Sequence, residues 1–303
     1  MLRTLLLLVP FLLAPGPAPA VGIASTTGPS TQASSWGLDR IDQRSLPLNQ
    51  TYRWANTAST VHAYVIDTGI ATADSDFGGR ASVGFDALGG SGQDCNGHGT
   101  HVAGVLGGTA WGVAKRVQLV AVRVMDCSGR SSTGAVLAGI AWVRRHAVKP
   151  AVANLSLGGT FSTVLDRAVD DLADSGVFVS VAAGNSHADA CASSPAAASR
   201  VVAVAASDRR DRLASFSNVG SCVDLVAPGV DVTSDWLGGA TRTLSGTSMA
   251  SPFVAGAAAI YLAKHPTASA ATVRAFLTST ATTGHLTGVP SGTTDRLLYT
   301  AKI

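Results

Sequence analysis

The sequence predicts a three-layer α/β protein, in which helices cover both faces of a doubly wound, mostly parallel sheet. From residue 59 onward, short apolar runs rich in β-forming residues alternate with helical patterns, which is the pattern of such a sheet. The charged fraction is only 14% and glycine occurs 33 times, which suits a compact, loop-rich globule rather than a disordered chain.

Each element of this prediction depends on a local pattern. One apolar stripe recurs at helical spacing through Val164, Leu165, Ala168, Val169 and Leu172 and indicates an amphipathic helix. Two further helices are predicted at 133–143 and 249–262, and the second is so apolar that we expect it to be buried. The candidate strands are 61–66, 117–124, 151–157, 177–182, 201–205 and 223–226.

The N-terminus has the pattern of an export signal. A basic start, the run LLLLVPFLLA and the small residues before position 21 predict a secretory signal peptide over residues 1–20, too short in its apolar part to span a bilayer. Residues 21–35 are small and polar, and we interpret them as a short flexible arm. Residues 36–303 contain no repeat, linker or shift in composition, so we predict a single domain there.

Charge and cysteine content narrow the classes of function. The net charge is +3 and the basic residues are scattered, so a nucleic-acid partner is not expected. The four cysteines of an exported chain favour disulfides over metal thiolates or a cysteine nucleophile, and no CxxC spacing occurs. The residues alone leave three connectivities open.

The stretch YVIDTGI places Asp67 directly after an apolar strand. An Asp-Thr-Gly turn can supply half of an aspartic-protease dyad, and 174–176, Asp-Ser-Gly, is the second candidate. That second turn follows an amphipathic helix, where Gly176 is better interpreted as a helix C-cap. Asp67 then stands at the carboxyl edge of a parallel sheet, where catalytic groups gather. It is either the orienting acid of a nucleophilic triad or only the end of a strand.

A glycine-rich loop, NGHGTHVAG, presents His98 just before a helix of small residues. Glycines on both sides let the backbone approach a substrate and leave the imidazole accessible. A simple turn and a metal ligand are the alternatives. His101 follows three residues later, but no third zinc ligand stands nearby in a suitable pattern, so we assign it to packing.

The candidate nucleophile lies in LSGTSMASP, a turn that runs into the apolar helix. A serine at a helix N-terminus is close to free backbone N–H groups, which can hold a developing oxyanion. We choose Ser248 over Ser245 and Ser251, although serine is also an ordinary helix N-cap.

These segments together resemble one family. Asp67, His98 and Ser248 follow the order known from subtilisin. The segments VIDTG, NGHGTHVAG, NLSLGG, AAGN and SGTSMASP resemble the signatures of the subtilisin-like serine proteases, over about residues 36–298. The start WGLDRID and the four-cysteine layout are most similar to the proteinase K branch, and within it to aqualysin-type enzymes. The resemblance implies a subtilisin-like fold.

The family's catalytic roles transfer to matching positions. The resemblance implies a secreted serine endopeptidase that forms an acyl-enzyme, with Ser248 as nucleophile, His98 as general base and then acid, and Asp67 as the residue that orients the imidazole. Asn185, in VAAGN, matches the side-chain donor of the oxyanion hole. The family's substrates are polypeptides, and we expect a monomer with no membrane partner after the signal is removed.

The resemblance also implies the substrate-binding residues. Two extended stretches should bind the peptide backbone by strand addition, and two segments without acidic residues should wall the primary specificity pocket. We therefore expect broad cleavage with a preference for apolar or aromatic residues at P1. The backbone-binding stretches are Ser156, Leu157 and Gly158 on one side and Gly129, Arg130 and Ser131 on the other, and the pocket residues are Gly158, Gly159, Ala182 and Ala183.

Calcium is the structural cofactor that the family implies, because hard oxygen ligands can tie its loops together. One implied site combines Asp224 with the carbonyls of Ser199 and Val201. A second, for which solvated loop acids are the alternative, is Asp39, Asp42, Gln43 and Asn49. The implied disulfides are Cys95 with Cys127 and Cys191 with Cys222.

Three features depart from the family or qualify it. We expect no folded prodomain between the signal peptide and the domain, because about fifteen residues are too few to form one. Phe253 stands where relatives commonly carry histidine and should change the packing behind the Ser248 helix. A catalytically silent binding protein of the same fold is the alternative function, and an intact set of Asp67, His98, Ser248 and Asn185 disfavours it.

Overall fold

The computed structural model describes residues 5–7 and 30–303. The rest of the predicted signal peptide and residues 21–29 of the predicted arm lie outside the described residues. Ser30–Gln32, which the sequence analysis assigned to the flexible arm, instead form a strand that pairs antiparallel with Thr51–Arg53. Among the described residues, no helix is both long and apolar enough to cross a membrane.

Helices and strands alternate along most of the described chain. The helices are α1 (Trp36–Ile41), α2 (His98–Gly107), α3 (Thr133–His146), α4 (Thr163–Asp174), α5 (Thr247–Lys264) and α6 (Ala270–Thr280). The strands are β1 (Leu5–Leu7), β2 (Ser30–Gln32), β3 (Thr51–Arg53), β4 (His62–Asp67), β5 (Ala81–Asp86), β6 (Gln118–Arg123), β7 (Arg130–Ser132), β8 (Ala151–Leu155), β9 (Gly159–Thr160), β10 (Val177–Ala182), β11 (Ser193–Ser194), β12 (Val202–Ser207), β13 (Leu225–Pro228), β14 (Val232–Trp236) and β15 (Ala240–Leu244).

Seven strands form the central sheet in the order β13-β12-β10-β8-β4-β6-β5, and all its pairs are parallel. The chain builds the sheet from β4 toward β5 and β6 on one side, then returns to place β8 on the other side of β4. The strand order therefore reverses at β4, and a crevice is expected outside the carboxyl end of such a strand. Asp67 is the last residue of β4.

The two faces of the sheet bury separate apolar clusters, because alternate side chains of a strand point to opposite faces. In β4, Ala63 and Val65 join the cluster that contains helices α2 and α5, whereas Tyr64 and Ile66 join the cluster that contains α3 and α4. This arrangement confirms the predicted three-layer α/β fold. It also explains the apolar sequence of α5, since nearly all of that helix is buried.

The six predicted strands and the three predicted helices are present. The sequence analysis missed the edge strand β5, the β14–β15 hairpin and helix α6. Both disulfides that the resemblance implied are confirmed, Cys95–Cys127 and Cys191–Cys222. The first joins the loop before α2 to the turn before β7, so it braces both sides of the region around Asp67.

Candidate active site

The predicted catalytic and substrate-binding residues converge on one edge of the sheet. Asp67 ends β4, Ser156 directly follows β8, and Ala182 ends β10, while these three strands are neighbours in the sheet. The N-termini of α2 and α5, which carry His98 and Ser248, reach the same edge, since the two helices pack against each other and against these strands.

Asp67 and His98 are in direct contact. Asp67 Oδ1 lies 2.7 Å from His98 Nδ1, and the side chains are 0% and 1% exposed. The carboxylate oxygen also accepts a hydrogen bond from the backbone N–H of Thr68 at 2.7 Å, which fixes its orientation. Because a carboxylate only accepts, Nδ1 carries the proton, and Nε2 of the neutral ring is the basic atom.

Two glycines permit this close approach. Gly97 has φ +105°, and a Cβ there would lie 2.4 Å from the Trp236 ring. A Cβ on Gly99 would lie 2.1 Å from the carbonyl oxygen of Gly69, in the turn that follows β4. The glycines of NGHGT are therefore needed to bring the start of α2 against the end of β4, as the sequence predicted in general terms.

The charge around His98 favours its protonated form. Burial alone would lower the pKa of this imidazole, but the charge of Asp67, the hydrogen bond that His98 donates to Asp67 and the charge of Asp94 together outweigh burial and raise the pKa. The arrangement thus stabilises an imidazolium, which is the state that forms when a general base accepts a proton.

Asp94 organises both partners of this contact, and sequence reasoning missed its role. One of its carboxylate oxygens accepts from Thr68 Oγ1 at 2.9 Å and from the backbone N–H of Asn96 and Gly97, and the other accepts from Thr100 Oγ1 at 2.6 Å. Asp94 therefore ties the turn after Asp67 to the loop and helix that carry His98. The one available signal was its place at the start of DCNGHGT.

Ser248 is the second residue of α5, where backbone N–H groups have no helical partner. Its side chain is 5% exposed, and its Oγ lies 3.3 Å from the carbonyl oxygen of Ser156. Pro252 lacks the N–H that would otherwise bond to the Ser248 carbonyl four residues earlier. Ser156 Oγ supplies that donor instead, at 2.7 Å. The helix thus tolerates a proline one turn after its candidate nucleophile.

A buried polar network holds the first turns of α5 against the sheet. Asn154 Nδ2 donates to Ser156 Oγ at 2.9 Å, and Asn154 Oδ1 accepts from Ser251 Oγ at 2.7 Å. Ser180 Oγ donates to the Ser251 carbonyl at 3.0 Å. These groups connect β8 and β10 to the helix. Ser251, the rejected candidate nucleophile, therefore has a structural role.

Asn185 is oriented by Thr247, the residue before Ser248. Asn185 Oδ1 accepts hydrogen bonds from the backbone N–H and from Oγ1 of Thr247, each at 2.8 Å. Thr247 Oγ1 in turn accepts from Gly184 N at 3.1 Å. With Oδ1 fixed toward Thr247, the Nδ2 donor of the amide points away from it, as a side-chain oxyanion donor beside the Ser248 N–H requires.

The predicted substrate-binding stretches border the same region. Arg130 and Ser131 lie in β7, directly after Gly129, and the edge of β7 pairs antiparallel with β1 in the register Leu5 to Ser132, Leu6 to Ser131 and Leu7 to Arg130. Strand β1 also contacts β9, which begins at Gly159, the residue after the second predicted stretch. An extended segment of this chain thus pairs with one stretch that was predicted to bind a peptide and contacts the strand that follows the other.

The predicted pocket walls come from the ends of β8 and β10. Leu157, Ala182 and Ala183 are buried, and Gly158 and Gly159 are partly exposed. A Cβ at Gly158 would lie 3.6 Å from the carbonyl oxygen of Ser194. The four predicted pocket residues, Gly158, Gly159, Ala182 and Ala183, carry no charge, so they offer no ion pair for a basic substrate side chain.

The alternatives for the other motifs are resolved. Helix α4 ends at Asp174, whose carboxylate pairs with Arg200 on the surface, so it forms no dyad with Asp67. His101 is fully buried, and its Nε2 donates to the carbonyls of Val232 at 3.1 Å and Arg242 at 3.0 Å. Burial, with a contribution from the His98 charge, lowers the pKa of His101 to about 3, as expected for a histidine that packs in the core.

The two implied calcium sites differ in their fit. At the first, Asp224 Oδ1 and the Ser199 carbonyl are both occupied by the guanidinium of Arg274. At the second, Asp42 Oδ1 and Gln43 Oε1 are buried oxygens without a hydrogen-bond partner. Burial raises the pKa of Asp42 to about 6, and the Asp39 charge adds to this increase. Unpaired oxygens beside a second carboxylate are the surroundings that a hard cation would stabilise.

Two residues of the second implied calcium site, Asp39 and Asn49, already accept hydrogen bonds from the protein. Asp39 accepts from the backbone N–H groups of Asn49 and Gln50, at 3.1 and 2.6 Å. Asn49 Oδ1 accepts from the backbone N–H of Thr51 at 2.9 Å and from the Thr51 hydroxyl. Among the described residues, no group of three or more His, Cys, Asp or Glu side chains converges in the manner of a metal site. Any cation here must therefore also use amide or backbone oxygens.

Phe253 is completely buried behind the Ser248 helix. Its ring approaches Gly37 of α1 so closely that a Cβ there would lie 2.5 Å from the ring edge. The phenyl group thus fills the space between α5 and α1. The polar network of Ser248 is present with phenylalanine at this position.

Comparisons with known proteins agree with the family resemblance. A model of the subtilase family matches residues 60–296. The chain is 52% identical over 271 residues to an extracellular serine proteinase of Thermus sp. (strain Rt41A), and the match covers 88% of this chain and 66% of that protein. It is 46% identical over 245 residues to proteinase T of Parengyodontium album, covering 78% and 83% of the two chains.

A solved structure gives the same result for the fold. The crystal structure of a cold adapted subtilisin-like serine proteinase matches with a TM-score of 0.86 and 49% identity, over 88% of this chain and 97% of that one. An alkaline serine exoprotease A of Vibrio alginolyticus is 51% identical over 266 residues, which are 87% of this chain and 50% of that protein. The chain thus spans less than two thirds of the length of the Thermus and Vibrio relatives.

Proposed function

Because the chain belongs to the subtilase family, we propose that it is a secreted serine endopeptidase that cleaves polypeptides through an acyl-enzyme. The observation that carries this proposal is the buried contact between Asp67 and His98, at the edge where Ser248 lies in the first turn of helix α5. The set of Asp67, His98, Ser248 and Asn185 is intact, and a silent binding protein would need none of these arrangements. The names of the relatives, two of them proteinases, support the same activity.

The proposed reaction follows from the roles of these atoms. Ser248 Oγ attacks the carbonyl carbon of the peptide bond while His98 Nε2 accepts the serine proton, and Asp67 stabilises the imidazolium. The negative charge on the carbonyl oxygen is held by Asn185 Nδ2 and the backbone N–H of Ser248. His98 then gives its proton to the leaving amine. A water molecule hydrolyses the acyl-enzyme with His98 acting again as base.

Substrate binding by strand addition is supported by the contacts of β7. Its edge accepts an extended segment in antiparallel register, and that segment also reaches β9. Backbone hydrogen bonds are common to all peptides, so they give affinity without selecting a sequence. Selection then falls to the uncharged pocket formed by Gly158, Gly159, Ala182 and Ala183. We propose broad cleavage with apolar or aromatic P1 residues preferred.

A peptide library tests the specificity. We expect the purified enzyme to cleave fluorogenic tetrapeptides with Phe, Leu or Tyr at P1 at least about 10-fold faster than those with Lys, Arg or Asp, because a single methylene in an apolar pocket is already worth about 1 to 3 kcal/mol of discrimination. Mass spectrometry of a digested unfolded protein should show internal cleavage, as an endopeptidase requires. Strict cleavage after Lys or Arg, or release of terminal residues alone, would contradict the proposal.

We also propose a structural calcium ion at Asp39, Asp42, Gln43 and Asn49. The unpaired oxygens of Asp42 and Gln43 support it. Calcium should raise the melting temperature above its value in EGTA. At a calcium concentration of 100 times the Kd, the free energy of unfolding should increase by about 2.7 kcal/mol. Asp42→Asn should remove that difference. Differential scanning calorimetry makes the measurement, and an equal calcium effect in wild type and in Asp42→Asn would contradict this site.

The remaining proposals concern location and partners. Residues 1–20 serve as the export signal, residues 21–35 precede the catalytic domain, and residues 36–303 form it. The relative from Thermus is named an extracellular proteinase, which supports export. We further propose that the enzyme acts as a monomer. The net charge of +3 with scattered basic residues supports the absence of a nucleic-acid partner.

A further inference from the structure

We propose that the guanidinium of Arg274 takes the place of a calcium ion between Asp224 and the Ser199 loop, so that this site holds a built-in cation and binds no metal. The family resemblance implied calcium at these oxygens. Arg274 projects from helix α6 and contacts the atoms that were expected to be ligands.

The contacts of Arg274 are short and bridge two chain segments. Nη2 lies 2.5 Å from Asp224 Oδ1, and Nη1 lies 2.6 Å from the carbonyl oxygen of Ser199. One guanidinium therefore binds a carboxylate before β13 and a carbonyl before β12 at the same time. A planar fork of N–H donors suits such a pair of oxygens, and charge-assisted hydrogen bonds are the stronger kind.

A calcium ion and this guanidinium exclude each other. Calcium binds six to eight oxygens at about 2.3 to 2.6 Å, which is the range in which the Arg274 nitrogens already lie from these two oxygens. A dication placed there would also meet the positive charge of Arg274 at close range. The second Asp224 oxygen accepts from the Ala203 N–H at 2.9 Å, so it is already oriented by the sheet.

The rest of the Ser199 loop is held by a different acid. Asp170 of α4 accepts from Ser199 Oγ at 2.9 Å and from the backbone N–H of Arg200 at 2.8 Å. The Ser199 loop is thus bound by the carboxylate of Asp170 from α4 and by the guanidinium of Arg274 from α6. Arg274 completes this pattern with the charge that a metal ion would otherwise supply.

Arg200 provides a matched control. It lies in the same loop, and its guanidinium pairs with Asp174 at 3.1 Å, but its side chain is 58% exposed against 35% for Arg274. An exposed pair of this kind contributes little to stability. Arg200→Met removes the same charge and the same side-chain length as Arg274→Met without touching the Asp224 oxygens.

The test measures calcium binding and melting temperature in protein that also carries Ser248→Ala, which prevents autolysis, and Asp42→Asn, which removes the proposed N-terminal site. With Arg274 intact, we expect no calcium uptake that depends on Asp224 in equilibrium dialysis. Arg274→Met should lower the melting temperature in EGTA by about 3 to 6 °C, against about 1 °C or less for Arg200→Met. It should also gain one bound calcium ion, which Asp224→Asn removes.

Each contrary result overturns the inference. Calcium uptake that requires Asp224 while Arg274 is intact would show that the ion and the guanidinium do not compete. Equal melting temperatures for Arg274→Met and Arg200→Met would show that Arg274 does not fasten the loop. An Arg274→Met protein that is folded but takes up no calcium would show that these oxygens do not form a cation site that arginine could replace.

Discussion

Replacing Ser248 with alanine should abolish covalent labelling by a fluorophosphonate and lower kcat by about 10⁶-fold. This magnitude is the value known for the catalytic triad of subtilisin, a relative, and is taken over from that enzyme. The loss is this large because Ser248 Oγ forms the covalent bond and the acyl-enzyme cannot form without it. The short hydrogen bond of the polar network is made to the Ser248 carbonyl, at 2.7 Å, and the hydroxyl makes only one bond of 3.3 Å to the Ser156 carbonyl, so the variant should fold normally. Intact-mass spectrometry before and after the probe gives the measurement.

Ser245→Ala is the matched control for this experiment. Ser245 lies three residues earlier in the same segment, and its Oγ bonds to Asp231 at 3.2 Å instead of facing the Asp67 and His98 contact. The wild type and Ser245→Ala should each gain one probe mass. A probe mass on Ser248→Ala, or none on well-folded wild type, would contradict the assignment of the nucleophile.

The place of the proposed catalytic residues in the fold could be predicted because their elements obey simple rules. In a parallel sheet all strands end at the same edge, so a carboxylate directly after β4 must meet other loops at that edge. The glycine-rich loop of His98 and the helix N-terminus at Ser248 were then expected at the same edge of the sheet. The family resemblance added Asn185, whose own sequence context is an ordinary turn, and the two disulfide pairings.

The groups that position these residues could not be predicted, because their partners are distant in sequence. Asp94 joins Thr68 to the His98 loop, and Ser156 Oγ reaches the Ser248 carbonyl 92 residues away. No local pattern marks such pairs. The same reason applies to Arg274, since nothing around it in α6 indicates a contact with Asp224, 50 residues earlier.

The missed strands have weak apolar patterns. Strand β5 lies at the edge of the sheet and has no fully buried residue, and β14 carries Asp235. Burial, together with the charges of Asp76 and Asp74, raises the pKa of Asp235 to about 9. The raised pKa favours the protonated carboxyl group, which can donate a hydrogen bond to Asp76. A buried acid inside a strand contradicts the local pattern and depends on tertiary contacts.

Asp67→Asn should lower kcat/KM by about 10³ to 10⁴-fold. The upper value is the loss of kcat, about 10⁴-fold, that the equivalent substitution causes in a serine protease of another fold. Asp67 Oδ1 accepts from both the Thr68 N–H and His98 Nδ1. An asparagine that keeps its oxygen at this position keeps both hydrogen bonds and the basic Nε2 of His98. The expected loss then comes from the missing negative charge, which no longer stabilises the imidazolium.

The pH profile separates this cause from a change of tautomer. The Asp67 charge raises the pKa of His98 against the effect of burial, so removing the charge should lower that pKa and move the acid limb of kcat/KM to lower pH. Asp171→Asn, an exposed acid paired with Arg144, should leave the limb unchanged. If instead the amide group turned its NH₂ toward His98, Nε2 would carry the proton, and kcat/KM would stay low at every pH at which the ring is neutral. An acid limb that stays in place in Asp67→Asn would therefore refute the electrostatic role of Asp67, because burial without a counter-charge can only disfavour the imidazolium.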